Sequence, residues 1–123
     1  MHEFSIATSL LEIITQETLP YPGARVKRVT LRIGALSGVL PHALRFSFEL
    51  LSEGTVAEGA TLVIEEVPLT LSCRNCGRTS SPEDPFLICP FCESTEVALT
   101  GGRELEILNM EIENGNQGHY SHP

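Results

Sequence analysis

The sequence has no tryptophan, and aromatic residues of all kinds make up 6% of its 123 residues. A core without large rings must be filled by leucine, isoleucine and valine, so an aliphatic interior is expected. Basic residues are also scarce: eight Lys and Arg against sixteen Asp and Glu leave a formal charge of −8. A surface of that sign repels phosphate backbones and counts against nucleic acid as a partner. No apolar run reaches the length that spans a bilayer, so no membrane partner is expected. The opening Met-His-Glu carries no basic stretch and no small-residue cleavage site; it does not read as a secretory signal, and the cytoplasm is the expected address. There is no G-x-x-x-x-G-K-[ST] loop, no paired-carboxylate signature among Glu49, Glu53, Glu65 and Glu66, and no nucleophile context around Ser37 or Ser47. An enzyme is not expected.

Cysteine is confined to one stretch. All four cysteines lie in Cys73-Arg74-Asn75-Cys76-Gly77 and Cys89-Pro90-Phe91-Cys92-Glu93, with two residues inside each pair and twelve between the pairs. A Cys-x-x-Cys turn lets two thiolates converge on one ion, because backbone amides in the turn point at the first sulfur. Two such turns complete the tetrahedral sulfur site that structural zinc prefers. Gly77 supplies the positive φ that closes such a turn, and Pro90 sits where no backbone donor is needed. The alternative is two disulfides, but a chain without a secretory signal more often uses paired cysteines for metal. The spacing therefore predicts Zn(II), ahead of iron, on Cys73, Cys76, Cys89 and Cys92.

Along the chain, Phe4, Ala7, Leu10, Leu11 and Ile14 recur with helical period, widened by Ile6 and Ile13, and predict a helix from Phe4 to Glu17. Pro20, Pro22 and Gly23 end it. Val29, Leu31 and Ile33 alternate with Arg28, Thr30 and Arg32 in a strand from Val26 to Ile33. Pro41 suits the first turn of a second helix, whose buried stripe is Leu44, Phe48 and Leu51, joined by Leu40 and Phe46. Ala60 to Val67 and Glu104 to Glu113 read as further strands. The expected fold is α/β (α+β): a small mixed three-stranded sheet with two helices, and an inserted zinc-ribbon module with two Cys-x-x-Cys knuckles. The expected division is an α/β domain over 1–68 and 100–113, a zinc domain over 69–99, and a flexible tail over 114–123.

The terminal Met1-His2-Glu3 carries its own chemistry. Trimming of an initiator methionine requires a small second residue, so Met1 is expected to survive beside His2. Its free amine, the His2 amide nitrogen and the His2 imidazole can form fused chelate rings on one ion, and Glu3 can complete the plane through its amide nitrogen or its carboxylate. An all-nitrogen, near-planar donor set suits Ni(II) or Cu(II) better than zinc. Amide nitrogens lose protons to bind, so affinity is expected to rise steeply with pH. The other histidines read differently. His42, at a helix start, is expected to be structural or to face solvent, and His119 and His122 fall in the polar tail.

With these residues the sequence resembles the HypA/HybF family of hydrogenase-maturation nickel-insertion proteins over nearly its whole length. The resemblance rests on M-H-E-F-S at the start, G-A-L-S-G-V after the first strand, P-H-A-L-R-F-S-F-E in the second helix, G-T-V-A-E-G-A-T-L-V-I-E-E-V-P, and the two knuckles. It implies a nickel domain centred on His2, a structural zinc domain held by Cys73, Cys76, Cys89 and Cys92, and Ni(II) as transferred cargo. It also implies delivery to the precursor of a [NiFe]-hydrogenase large subunit, a HypB-type GTPase as partner and, in some members, a link to urease maturation proteins. Some relatives carry a further histidine near the second knuckle; here Cys92 is followed by Glu93-Ser94-Thr95.

Two other functions compete. A zinc ribbon could be a protein-interaction module without nickel transfer, and C-P-x-C with C-x-x-C-G also occurs around iron in rubredoxin-like electron carriers. The second would need an aromatic core around the cluster, for which Phe86 and Phe91 are the available residues. Iron with four thiolates absorbs in the visible and zinc does not, so colour separates them.

Overall fold

Helix α1 (His2–Thr18) buries Ala7, Leu10, Leu11 and Ile14 of the predicted stripe, but Phe4, also expected there, is 41% exposed and Ile13 stays nearly half exposed. The helix stops where Pro20 denies the α region to Leu19, and Gly23, at φ +82°, turns the chain into β1 (Arg25–Gly34). Helix α2 (Pro41–Ser52) has proline in its first turn and buries Leu44 and Phe48 against α1. Leu51, expected in the stripe, is only half-buried, and Leu40 and Phe46 do not join it: they are 56% and 67% exposed. Phe46 lies two residues from both Leu44 and Phe48, which puts it on the opposite side of the helix, and Leu40 precedes the first turn as its N-cap.

The computed structural model describes residues 2–82 and 86–113 in full and residues 119–122 as backbone. The remaining strands are β2 (Thr61–Val67), β3 (Thr70–Cys73), β4 (Thr79–Ser80), β5 (Val97–Gly101), β6 (Leu105–Glu113) and β7 (His119–His122). One sheet has the order β2-β1-β6-β7. Arg32 on β1 marks its centre by reaching Glu65 on β2 at 3.8 Å and Glu106 on β6 at 3.4 Å. Arg28 meets Glu111 at 3.0 Å, so β6 runs antiparallel to β1. The Ala35 N–H, just past the end of β1, donates to O of Val67, the last residue of β2, so these two run parallel with α2 in the crossover. The sheet is mixed, as expected, with β7 added as a fourth strand in the register Met110↔His122 to Glu113↔His119. The expectation of a flexible tail falls largely on residues 114–118 and 123, which lie outside the described residues.

The second sheet, β4-β3-β5, is antiparallel throughout and pairs Cys73 with Val97. By contacts the chain divides into two compact units, one of Met1–Leu31, Val39–Ile64 and Ile107–Pro123, the other of Arg32–Gly38 and Glu65–Glu106. The first has the larger aliphatic core, in which Ala7, Ile14, Val29, Leu44, Phe48 and Ile112 are 1% exposed or less. Each large side chain there contributes about 1.5–3 kcal/mol of transfer free energy. The second is built on Leu69, Leu71, Cys73 and Cys89, all buried.

Gly34 shows how closely backbone meets backbone in the second unit. Its N–H donates to Glu104 O at 2.7 Å, and a Cβ there would stand 2.2 Å from both the carbonyl carbon and the oxygen of Gly102. Neither neighbour is a side chain that can swing away. Gly34→Ala is expected to destabilise this unit by about 3 kcal/mol, the upper end for overpacking, read as a lower urea midpoint by circular dichroism. An unchanged midpoint would mean that the 101–104 turn moves aside freely.

Candidate metal centre

The two Cys-x-x-Cys turns repeat one hydrogen-bond scheme. In the first, the Asn75 and Cys76 amides donate to Cys73 Sγ at 3.3 and 3.4 Å. The Gly77 N–H donates to Cys73 O at 3.0 Å, and the Cys73 N–H to Arg78 O at 2.9 Å. In the second, the Glu93 N–H donates to Cys89 O and the Cys89 N–H to Ser94 O, both at 2.9 Å. The residue that closes each turn is left-handed, Gly77 at φ +78° and Glu93 at φ +62°. Glycine takes that conformation freely, whereas for glutamate it costs about 1–2 kcal/mol.

The turns bring their sulfurs together. All four Sγ atoms lie within 4.8 Å of one another, with Cys73 and Cys92 at 3.6 Å and Cys76 and Cys89 at 3.7 Å. Thiolates 2.3 Å from one tetrahedral zinc stand about 3.8 Å apart, so the four residues fit a four-thiolate Zn(II) site. Cys73 and Cys89 are buried, while Cys76 and Cys92 reach solvent. The Asn75 side-chain amide donates to Cys92 Sγ at 3.5 Å and, with the Ser94 amide, lowers that thiol's pKa to about 6. The Arg78 amide favours a thiolate at Cys76, but burial and the three neighbouring thiols together push it up to about 11. A metal that binds here must displace the proton on Cys76.

Sequence pattern does not by itself single out Asn75. A signal is there nonetheless, since it is the one side-chain amide between the cysteines of either knuckle. The guanidinium of Arg78, 4.9 Å above the Phe91 ring, likewise ties the knuckles together. Among the described residues, the aromatics near the knuckles do not form the core an electron carrier would need: Phe86 and Phe91 are 68% and 54% exposed.

His2 opens α1, and its imidazole is exposed. The first amides of a helix have no intrahelical acceptor, so the His2 nitrogen can lose its proton to a metal without breaking the helix ladder. Glu3 is different. Its residue is 9% exposed, and its Oε2 accepts from the Leu40 N–H at 3.1 Å and lies 3.9 Å from His2 Nδ1. Leu40 caps α2 without a side-chain bond of its own, so the carboxylate from α1 serves the positive end of α2. The Leu40 amide, then the amide of Glu3 itself, holds the Glu3 carboxyl below its ordinary value of 4.5, against the effect of burial. A depressed carboxyl stabilises the fold above its unfolded pKa and loses that effect as pH falls through the folded one. The tie therefore holds at neutral pH and loosens in acid.

His42 is exposed in the first turn of α2, as expected, and His119 and His122 are described only as backbone of β7. Met1 lies outside the described residues. Among the described residues, no helix is long and apolar enough to cross a membrane.

Comparison with known proteins gives one consistent result. Residues 1–112 match the model of a family described as HypA, hydrogenase/urease nickel incorporation, metallochaperone. The sequence is 45% identical over 113 residues to the hydrogenase maturation factor HypA of Nostoc punctiforme, covering 92% of this chain and 96% of that one. It is 40% identical over 112 residues to the protein of the same name from Picosynechococcus, covering 91% and 99%. The fold resembles the solution structure of the Ni metallochaperone HypA from Helicobacter pylori, with a TM-score of 0.58 at 25% identity over 88% of this chain and 94% of that one. A second solution structure, titled HypA protein, gives 0.64 at 27% identity over 89% and 94%.

Proposed function

Because this chain belongs to the HypA family, we propose that it is a nickel metallochaperone, a binding protein and not an enzyme, that takes up one Ni(II) at its N-terminus. It hands the ion, with a HypB-type GTPase, to the precursor of a [NiFe]-hydrogenase large subunit. The family description also names urease, which makes urease maturation proteins a second class of acceptor. The donors are the Met1 amine, the His2 amide and imidazole nitrogens, and the amide nitrogen of Glu3. The functional modules are a nickel domain over 1–68 and 100–113 and a zinc domain over 69–99, working in the cytoplasm.

The observation that carries this reading is the position of His2. It opens α1 with an exposed imidazole, and its amide needs no helical acceptor. Ligands at a chain end exchange one at a time, which suits delivery more than storage. Thiolates of an acceptor can then replace the nitrogens around a borderline-soft ion. Cys73, Cys76, Cys89 and Cys92 hold a structural zinc whose coordination they close, so the zinc supplies shape and no open position for chemistry.

The test is native mass spectrometry and absorption on untagged protein, with and without added Ni(II). One Zn(II) and one Ni(II) per chain are expected. A yellow square-planar d–d band should grow as pH rises, because amide protons must leave. A chain that carries zinc but takes up no nickel at alkaline pH would leave only the protein-interaction role.

A further inference from the structure

Glu3 is the residue at the chain start whose side chain is already engaged. Its side chain is 11% exposed, and Oε2 accepts from the Leu40 N–H at 3.1 Å in a part-buried hydrogen bond. Leu40 stands at the head of α2, has no side-chain cap of its own and is followed by Pro41, which has no N–H to offer. Withdrawing the carboxylate would therefore leave the leading donor of α2 without this acceptor. A buried acceptor bound to an amide gives up that bond reluctantly. The same oxygen lies 3.9 Å from His2 Nδ1, beyond hydrogen-bond length but close enough to limit where the imidazole can go. One carboxylate thus joins the starts of α1 and α2 and borders the histidine.

We propose that Glu3 is a positioning residue: its carboxylate latches the start of α1 to the Leu40 amide and so orients His2 for nickel, without itself entering the nickel shell. This rests on the reading that nickel binds at the chain terminus. It assigns the two parts of Glu3 to different tasks, the backbone nitrogen to the metal and the side chain to the fold. Groups that act on a metal through its ligands typically change affinity by about 10–100-fold when removed.

Glu3→Gln separates the latch from a ligand. The glutamine carbonyl oxygen still accepts from the Leu40 N–H, but a neutral amide oxygen is a poor substitute for a carboxylate on nickel. Glu3→Gln is expected to bind Ni(II) within about threefold of the parent and to show the same d–d band. Glu3→Ala is expected to bind about tenfold more weakly and to lose nickel faster to a chelator. Hydrogen exchange of the Leu40 amide in nickel-free protein gives a readout independent of the metal: protected in the parent and Glu3→Gln, fast in Glu3→Ala. If Glu3→Gln loses nickel as Glu3→Ala does, with an altered band, the carboxylate is a ligand and the latch is refuted. A Glu3→Ala protein that matches the parent in affinity refutes it too. Should Glu3→Ala fail to fold, Glu3→Gln decides alone. His2→Ala keeps the two failures apart: if only the latch is wrong, His2→Ala still loses nickel, whereas if the terminal site is wrong it keeps it.

Discussion

His2→Ala is expected to abolish stoichiometric nickel binding while leaving the zinc in place. The substitution removes the imidazole and with it one of the fused chelate rings, so the ion is left with an amine and amide nitrogens. Each amide must give up its proton to bind, and without the imidazole anchor that step becomes unfavourable near neutral pH. A loss of roughly 100-fold in affinity, equal to about 2.7 kcal/mol, is the minimum expected from isothermal titration or chelator competition. Extending the N-terminus by an uncleaved tag should act as strongly from the other side of the chelate, because it turns the terminal amine into an ordinary amide. The fold should not notice either change, since the His2 side chain is exposed and α1 is anchored by Ala7, Leu10, Leu11 and Ile14. If His2→Ala binds nickel as the parent does, the ion sits elsewhere and the terminal site falls.

The donors in that prediction are adjacent in the chain, so their chemistry can be read from residue order alone. The same holds for the zinc knuckles. Cys-x-x-Cys closes its own turn through local amides, and Gly77 marks the left-handed residue that ends it. The second knuckle uses the same left-handed position, but Glu93 fills it, and nothing about a glutamate announces positive φ. The stripe of α1 is legible from its period from Ala7 on, but not at Phe4, which the first turn leaves 41% exposed. In α2 the period places Leu44 and Phe48 correctly, but the apolar character of Leu40 and Phe46 suggests burial that their positions around the helix do not allow. What local pattern cannot carry is partnership across the chain. The Glu3 carboxylate meets an amide thirty-seven residues away, and Asn75 reaches Cys92 seventeen residues on. The pairing of β7 with β6 is likewise a matter of which edge lies open, since the end of the chain has no alternation to betray a strand. Chemistry-bearing residues are readable one by one, but not what holds them in place.

Cys73→Ala should have the largest effect on the fold. Cys73 is buried, accepts two amide hydrogen bonds at its sulfur, and pairs through its backbone with Val97 of β5. Removing its thiolate leaves three ligands, and a structural zinc held by three thiolates and water binds far more weakly. Such sites supply about 10–16 kcal/mol of folding free energy in small zinc modules. The unit that contains the knuckles has few large apolar side chains to compensate: Leu69 and Leu71 are its principal buried leucines, while Phe86, Leu87, Ile88 and Phe91 face outward. The expected result is loss of the zinc and melting of that unit, seen as collapse of the amide spectrum for residues 69–99. The unit built on Ile14, Leu44 and Phe48 draws on its own core and should keep its helical signal. Stripping zinc from the parent with a strong chelator should give the same spectrum, and restoring zinc should reverse it. If residues 69–99 stay folded without zinc, the four cysteines are not what holds that unit together. Nickel titration of the same variant then decides whether the zinc has a second role. Binding that survives means the terminal site stands alone, and binding that is lost means the zinc unit contributes to how the nickel end is held.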